Sequence, residues 1–373
     1  TTLGDDMQPS VWVEPDTLVR VEVEKVLLAR PRGFCAGVEM AIKALAWMVR
    51  VFEPPVYCYH EIVHNRLVVE RFRNLGVVFV DSIEAVPDGA PVMLSAHGSA
   101  PEVGSAARHR GGFVVDAVCP LVTKVHHEAR VRAGKGYTIL YVGHAGHDEA
   151  IGTLAEAPAA MRLVEHEHDV DDAPVDDPTK VAVLAQTTLA LGDWKGVVER
   201  ARARYPELWT ATRDDLCFAT TNRQAALTAI ASRADAVLVI GSANSSNTLA
   251  LEKVARNVGC PVVQRINGVE ELDLAALAGA RVVGVTAGAS APEDVVQAVI
   301  ARLAPRQGVE EVDVTDEEEY FPPPRTLREV MPVLDAVAAL AAGGSPAAAA
   351  ALGGSFSADR AVNASDTLAA LRG

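Results

Sequence analysis

Three cysteines stand in the kind of loop from which a thiol can bind a metal. Cys35, Cys119 and Cys217 are each followed directly by a stretch with a helical pattern, and the first two come soon after a short apolar strand. A helix N-terminus carries partial positive charge, which lowers the pKa of a nearby thiol and favours the thiolate. Three convergent thiolates suit a soft metal centre. The sequence therefore predicts a metal site made by these three residues.

The other two cysteines lack such a setting. Cys58 lies within a strand-like run, and Cys260 follows a helical pattern without a polar loop. A buried, inert thiol is the usual role of such a cysteine. A non-enzymatic iron–sulfur sensor or electron carrier is one possible class of function. Such a protein would normally need four cysteine ligands, so this alternative depends on Cys58 or Cys260 joining the site. Five widely spaced cysteines argue against a secreted disulfide framework, and we expect a reducing, cytoplasmic location.

The segment from His60 to His64 matches the H-E-x-x-H pattern of zinc proteases. That pattern needs a helix, which places both histidines on one face. Here it follows the strand-like run Val56–Tyr59, and its middle residues are β-branched. A zinc hydrolase is thus another hypothesis, but the local pattern does not favour it. A packed or exposed histidine pair, or an anion-binding one, is the alternative.

Other polar residues follow predicted strands where helices begin. Histidines without a paired carboxylate suit a phosphate better than a metal, and backbone amides at helix starts also favour anions. Serines and an asparagine at such helix starts could bind an anion, and their alternative role is that of an ordinary solvated helix cap. Glu149 is a candidate acid beside a histidine-rich loop. The candidate anion-binding residues include His64, His97, His147, Ser245, Ser246, Asn247 and Ser290.

Short apolar strands alternate with helical patterns along the chain. This alternation is typical of an α/β fold with mainly parallel sheets, in which ligands bind beyond the carboxyl ends of the strands. The three cysteines are 84 and 98 residues apart, about one small α/β domain each. We therefore expect three similar units that each bring one cysteine to a common centre. The expected segments are an N-terminal extension 1–24, units 25–118, 119–216 and 217–328, and an Ala/Gly-rich tail 329–373 of which much is expected to be disordered or appended.

Composition excludes several classes of protein. The net charge of −15 argues against nucleic acid as a partner, because a phosphate backbone requires a basic face. The apolar run 336–353 is interrupted by two glycines and a proline, so no membrane span is expected. The first 22 residues contain one basic residue, Arg20, and predict neither a signal peptide nor a transit peptide.

Nine motifs occur in an order that resembles one enzyme family. The first is Pro31-Arg32-Gly33-Phe34-Cys35-Ala36-Gly37-Val38. The others lie at 60–65, 95–98, 119–126, 143–149, 186–189, 217–224, 241–247 and 286–292. Over roughly residues 25–328 the chain resembles the 4-hydroxy-3-methylbut-2-enyl diphosphate reductases, which catalyse the last step of the non-mevalonate isoprenoid pathway.

The resemblance implies a trefoil of three α/β units around a 4Fe–4S cluster. It implies that Cys35, Cys119 and Cys217 ligate three irons and that the fourth iron takes the substrate hydroxyl. It implies that Glu149 relays protons and Thr187 orients the hydroxyl, with a ferredoxin- or flavodoxin-type protein as electron donor. Products would be isopentenyl and dimethylallyl diphosphates plus water. The diphosphate would be held by His64, His97, His147, Ser245, Ser246, Asn247 and Ser290.

Simple physics supports two of these implied roles. A carboxyl near a diphosphate and an electron-rich cluster should have a raised pKa, which would keep Glu149 protonated as an acid. Histidines that bind a diphosphate can be held protonated by the anion itself. The chain departs from the family pattern at Ile151, where a second acid is usual, and at Val118, where threonine is usual. These departures leave open a paralogue that acts on a related diphosphate.

Overall fold

The fold is built on three separate parallel sheets. A computed structural model describes residues 22–211, 215–341 and 356–371. The strands are β1 Lys25–Arg30, β2 Val56–Tyr59, β3 Val77–Val80, β4 Val92–Leu94, β5 Val114–Asp116, β6 Thr138–Val142, β7 Met161–Val164, β8 Val181–Ala185, β9 Ala236–Ile240, β10 Val262–Ile266, β11 Val282–Ala287 and β12 Val309–Asp313. The orders are β10-β9-β11-β1-β12, β3-β2-β4-β5 and β7-β6-β8, and all the pairings described are parallel. The expected α/β class with three parallel-sheet units is confirmed.

Helices connect the strands and cover the sheets. They are α1 Ala36–Val51, α2 Arg66–Arg73, α3 Pro101–His109, α4 Pro120–Gly134, α5 Asp148–Leu154, α6 Asp169–Asp172, α7 Leu191–Arg204, α8 Phe218–Ala231, α9 Ser246–Asn257, α10 Glu293–Leu303, α11 Arg325–Ala341 and α12 Ala364–Ala370. Short 3-10 helices lie at Ile83–Ala85, Val269–Glu271 and Phe356–Ala361. Strands β6, β8 and β9 are buried along their whole length, which explains their continuous apolar sequences. No helix in the described ranges is long and apolar enough to cross a bilayer.

Strand β1 joins a sheet made mostly by the C-terminal part of the chain. It lies between β11 and β12, with Leu27 opposite Gly284 on one side and Glu310 on the other. Side chains on one of its faces pack in a core with Val283 and Val285. The strand before Cys35 therefore belongs with residues 217–328, although its sequence position had placed it with 25–118. The sequence of an apolar strand does not indicate which sheet the strand joins, because long-range packing determines its partners.

Much of the expected C-terminal tail is folded. Helix α11 begins at Arg325 and crosses the boundary expected at residue 329. Leu327, Met331, Ala364 and Leu368 lie in one apolar core with residues of α1. The Ala-rich composition hid these contacts, because small apolar residues suit close helix packing as well as a loose tail. Residues 1–21 and 342–355, for which an extension and a tail were expected, lie outside the described residues.

Candidate active site

The three predicted cysteine ligands occupy equivalent positions at three helix starts. Cys35 is the N-cap residue of α1, Cys119 of α4 and Cys217 of α8. The backbone N–H groups two and three residues further on face each Sγ and lower the pKa of its thiol. These N–H groups belong to Gly37 and Val38, Leu121 and Val122, and Ala219 and Thr220. All three cysteines line one cavity, so the structure brings together the thiols that the sequence singled out.

Two of the thiols lie close to Gly37. A Cβ atom at this position would lie 2.7 Å from Cys119 Sγ and 4.0 Å from Cys35 Sγ. The shorter distance is well inside van der Waals contact, so a side chain at residue 37 would displace the Cys119 thiol. Glycine is therefore required here by the spacing of the donor atoms, a constraint that the sequence motif contained but did not explain.

Burial controls the protonation of these cysteines. It raises the pKa of Cys35 and Cys119, and it raises the pKa of Cys217 to about 12. The nearby backbone N–H groups lower these pKa values but do not outweigh burial. The expectation that helix N-termini would favour thiolates is therefore wrong when the polypeptide alone sets the pKa values of the thiols. A bound metal would supply the missing driving force, because it displaces the thiol proton.

Three cysteine thiols are the soft donor atoms of this cavity. Within the described ranges, no three His, Cys, Asp or Glu side chains are placed to hold one metal ion. Three thiols instead line a common cavity. Soft thiolate donors that receive backbone N–H bonds are the usual surroundings of an iron–sulfur cluster.

The H-E-x-x-H segment is not helical. It lies between β2 and α2, and His60 has a φ of 58°. His60 Nδ1 lies 2.7 Å from Asp148 Oδ1, whereas His64 Nδ1 lies 3.4 Å from Glu61 Oε2. The two histidines thus bond to different carboxylates. This geometry confirms that the pattern lacks the helix that a zinc protease requires.

Three histidines from three loops form a compact cluster. The rings of His64 and His97 stack with centroids 3.8 Å apart and an interplanar angle of 9°. The His147 ring meets them edge-on, with centroid distances of 4.9 and 5.9 Å. His64 Nε2 and His97 Nε2 are buried without a hydrogen-bond partner. Buried, unsatisfied polar atoms that line a cavity indicate a polar ligand.

Two rings of the histidine cluster are neutral near pH 7 in the free protein. Burial and the neighbouring histidines lower the pKa of His97 well below its usual value, and they lower the pKa of His147 to about 4. His147 Nδ1 accepts a hydrogen bond from the Glu149 N–H at 3.2 Å. The neutral ring therefore carries its proton on Nε2 and can still donate to an anion. Cationic histidines, as expected from the sequence, would require a bound anion.

Glu149 and Thr187 are paired inside the same cavity. The Thr187 N–H donates to Glu149 Oε1 at 2.7 Å, and its hydroxyl donates to Oε2 at 3.1 Å. The Glu149 side chain is buried, and burial raises its pKa to about 7 against the effect of both hydrogen bonds. The expected direction of this shift is confirmed, although burial is its cause. Near neutral pH this carboxyl can hold or release a proton.

The start of α9 and the loop after β11 complete the cavity. Asn247 Oδ1 accepts a hydrogen bond from the Ala289 N–H at 2.9 Å, which joins these two segments. Ser290 Oγ donates to the His64 carbonyl at 2.9 Å. Ser245 Oγ caps α9 by accepting from the Thr248 N–H. The cavity is lined by every predicted site residue, namely Cys35, Cys119, Cys217, His64, His97, His147, Glu149, Thr187, Ser245, Ser246, Asn247 and Ser290.

Some residues of the site were not singled out from the sequence. Thr188 and Thr220 also line the cavity, and Thr220 Oγ1 accepts a hydrogen bond from Asn247 Nδ2. Asp148 lies behind the histidine cluster, with Oδ2 3.8 Å from His64 Nε2. Thr188 and Asp148 are the sequence neighbours of the predicted site residues Thr187 and Glu149. Only this proximity in the sequence could have indicated them.

Cys58 and Cys260 lie apart from this cavity. Cys58 is fully buried within the core around α1. Cys260 packs against another core, and its Sγ approaches the backbone carbonyl of Val262. Neither thiol lines the cavity that the other three share. A fourth cysteine ligand for that site is therefore not available from these positions.

Comparison with known proteins agrees with this geometry. The family model described as LytB protein matches residues 26–304. A protein from Rhodopirellula baltica called 4-hydroxy-3-methylbut-2-enyl diphosphate reductase is 47% identical over 306 residues, which cover 82% of this chain and 96% of that protein. A protein of the same name from Mycolicibacterium paratuberculosis is 46% identical over 307 residues, which cover 82% and 92%.

Solved structures extend the similarity to three dimensions. The E-1-hydroxy-2-methyl-but-2-enyl-4-diphosphate reductase from Plasmodium falciparum superposes with a TM-score of 0.79 at 31% identity, and the match covers 83% of this chain and 99% of that one. A second structure, of (E)-4-hydroxy-3-methyl-but-2-enyl diphosphate reductase, gives a TM-score of 0.55 at 32% identity and covers 76% and 99%.

Proposed function

The chain belongs to the LytB family, and on this premise we propose that it reduces 4-hydroxy-3-methylbut-2-enyl diphosphate to isopentenyl and dimethylallyl diphosphates with release of water. One observation carries the proposal: three cysteine thiols, three histidines and a buried, paired glutamate line a single cavity. Each group matches one need of the reaction, namely a redox centre, an anion site and a proton donor.

We propose that a 4Fe–4S cluster is held by Cys35, Cys119 and Cys217. The equivalent positions of the three cysteines at helix N-termini, and the lack of room for a side chain at Gly37, support this assignment. When bound, the cluster would supply the electrons and, at an iron without a protein ligand, a Lewis acid for the substrate hydroxyl. The protein would contribute the orientation of the substrate, the exclusion of water and the protons.

The diphosphate site is proposed to lie between the histidine cluster and the start of α9. Three kinds of donor meet there: imidazole N–H groups, neutral side chains, and the backbone amides of a 12-residue helix. His147 Nε2 can donate in either protonation state, because its Nδ1 is engaged by the Glu149 N–H. Ser245, Ser246, Asn247 and Ser290 would add neutral donors that bind phosphate oxygens without introducing further charge.

Glu149 is proposed to donate the proton that leaves with the hydroxyl. The overall change breaks the allylic C–O bond, consumes two electrons and two protons, and forms one C–H bond and one water. A carboxylic acid with a pKa of about 7 is protonated in a useful fraction of molecules at neutral pH. The Thr187 hydroxyl holds the carboxyl and would orient the substrate hydroxyl beside it.

We propose a ferredoxin- or flavodoxin-type protein as the electron donor, because the reaction consumes two electrons and the resemblance to the family implies such a partner. All five cysteines are free thiols. This supports the proposal of a reducing compartment such as the cytoplasm.

The decisive test is anaerobic purification followed by iron and sulfide analysis and an assay with the allylic diphosphate and a chemical one-electron reductant. We expect about four irons and four sulfides per chain and formation of both product diphosphates. Alanine variants of Cys35, Cys119 and Cys217 should lose the cluster, whereas Cys58→Ala and Cys260→Ala should keep it. A protein without iron and sulfide would contradict the proposal. Loss of the cluster from either control variant would favour a four-cysteine carrier instead.

A further inference from the structure

One buried arginine joins the loop of Cys35 to the helix of Cys217. Arg223 lies in α8 and is 1% exposed. Its guanidinium donates to the Gly33 carbonyl at 2.8 and 3.0 Å and to the Phe34 carbonyl at 3.2 Å. It also donates to the Ala219 carbonyl at 2.9 Å. These acceptors are the two residues before Cys35 and the second residue after Cys217, so a single planar group fixes both segments.

The charge of Arg223 is balanced by a carboxylate from a distant segment. Arg223 Nη1 lies 3.0 Å from both carboxylate oxygens of Glu317, whose side chain is 11% exposed. Asn222 Nδ2 donates to the same carboxylate at 3.1 Å. Glu317 follows β12 and lies beyond residue 304, where the match to the family model ends. All five N–H donors of the guanidinium are thereby used, which leaves Arg223 one orientation.

We propose that Arg223 is a positioning residue that sets the Cys35 loop against the Cys217 helix, and that the Arg223–Glu317 pair tunes the reduction potential of the metal centre bound there. This inference rests on the proposed function, because it requires that the thiols hold a redox centre. Arg223 acts electrostatically on both Cys35 and Cys217, and Glu317 acts on Cys35 with the opposite sign.

The two charges should have opposite effects. Reduction adds negative charge to a cluster, so a nearby guanidinium raises its potential and a nearby carboxylate lowers it. Arg223→Gln should therefore lower the potential, and Glu317→Gln should raise it. A purely structural role would not predict shifts of opposite sign. Glu317→Gln is also the gentler change, because glutamine keeps an oxygen that can accept from Arg223.

Position and charge can be separated with lysine at residue 223. Arg223→Lys keeps the positive charge but has three donors on one nitrogen, which cannot span Gly33, Phe34 and Ala219 together. We expect the potential to stay near the wild-type value while iron is bound about 10- to 100-fold more weakly in competition with a chelator, as for other lost outer-shell contacts.

The experiment is a spectroscopically monitored redox titration of the anaerobically reconstituted full-length protein, together with chelator competition. Asp359→Asn is the matched control, because it neutralises a carboxylate in a buried pair with Lys43, eight residues beyond Cys35 in α1. It should destabilise the protein with a smaller shift of potential than Glu317→Gln. Opposite shifts of the reduction potential in Glu317→Gln and Arg223→Gln would support the proposal. If Arg223→Gln does not fold, a raised potential in Glu317→Gln would support it alone. An unchanged or lowered potential in Glu317→Gln would overturn it. Absence of a cluster from the wild-type protein would instead overturn the proposed function.

Discussion

Thr187 binds both oxygens of the Glu149 carboxyl, through its backbone N–H at 2.7 Å and its hydroxyl at 3.1 Å. Glu149 lies in the first turn of α5, after β6, and Thr187 follows β8, so the pair joins two adjacent strand ends of the three-stranded sheet. Both hydrogen bonds favour the carboxylate, yet burial prevails and raises the pKa to about 7. The site therefore combines an oriented carboxyl with the ability to hold a proton at neutral pH.

Replacing Glu149 by glutamine should separate catalysis from assembly of the site. Glutamine keeps an oxygen that can accept from the Thr187 N–H, so the cluster and substrate binding should persist. Loss of the acidic proton should lower kcat by about 10²–10⁴-fold. The measurement is steady-state turnover together with iron content, with Glu199→Gln on the exposed face of α7 as control. Near-normal turnover would remove Glu149 from the mechanism.

The value of kcat/KM should fall as the pH rises through about 7. Glu149 is active as an acid, so the competent fraction is fully present below its raised pKa and is lost above it. Thr187→Val removes a hydroxyl donor that favours the carboxylate, so the descending limb should move to higher pH. The profile of kcat/KM, which reports the ionisation of the free enzyme, should be recorded with a chemical reductant whose supply does not limit the rate. A flat profile across about one unit on each side of neutrality, or a limb that moves downward in Thr187→Val, would contradict this assignment.

Substrate binding should be accompanied by proton uptake. In the free protein the pKa of His147 is about 4 and that of His97 is strongly lowered, so both rings are neutral at pH 7. A diphosphate beside them favours their charged forms and raises those pKa values. Calorimetric titrations in two buffers with different ionisation heats measure the protons taken up. The uptake should be smaller in His147→Gln, and equal heats in both buffers would show that the rings bind as neutral donors.

Much of the site could be predicted because its key features are local. Each of the three cysteines is the N-cap residue of the helix that immediately follows it, so the loop-and-helix pattern around Cys35 or Cys119 already contained the geometry. The alternation of apolar strands and helices likewise predicted parallel sheets, whose strand ends carry His97 and Glu149. These inferences needed only neighbouring residues and the general rule for where ligands bind on such sheets.

Features that depend on distant contacts could not be predicted in this way. Arg223 and Glu317 are 94 residues apart, and nothing in the acidic run around Glu317 distinguishes the one carboxylate that becomes buried. The membership of β1 in the C-terminal sheet depends on competing pairings of similar apolar strands. The raised pKa values of the thiols follow from burial, a property of the whole fold, which outweighed the local effect of the helix N-termini.

Gly37→Ala should damage the metal site while sparing the fold. Its Cβ would lie 2.7 Å from Cys119 Sγ, so the thiol or the helix must shift. Overpacking of this kind costs about 1–3 kcal/mol, partly offset by the higher helix propensity of alanine. We therefore expect a folded protein that retains little iron and sulfide after reconstitution. Gly192→Ala in α7 is the control, because its Cβ would meet no atom within 4 Å. It should keep the cluster and gain about 0.5–1 kcal/mol, and equal iron content in both variants would show that the site tolerates the added methyl group.

Lys43 should be essential for docking the C-terminal segment onto α1. Its Nζ donates to the Asp359 carbonyl at 2.8 Å, to Asp359 Oδ2 at 3.0 Å and to the Val362 carbonyl at 3.2 Å. Tyr320 donates its hydroxyl to the same carboxylate at 2.9 Å. Both charged side chains are buried, so Lys43→Met leaves a buried carboxylate without its cation and should reduce the free energy of unfolding by about 3–5 kcal/mol.

The measurement for Lys43→Met is urea unfolding, with Lys253→Met as control. Lys253 forms an ion pair with Asp193 in which both side chains are substantially exposed, and such pairs contribute about 0–1 kcal/mol. The double variant Lys43→Met with Asp359→Leu replaces both charges by apolar groups and should recover much of the lost stability, because no unpaired buried charge remains. If Lys43→Met unfolds like the Lys253→Met control, the apolar contacts of Ala364 and Leu368 with α1 would be sufficient to hold the segment, and the ion pair would be dispensable.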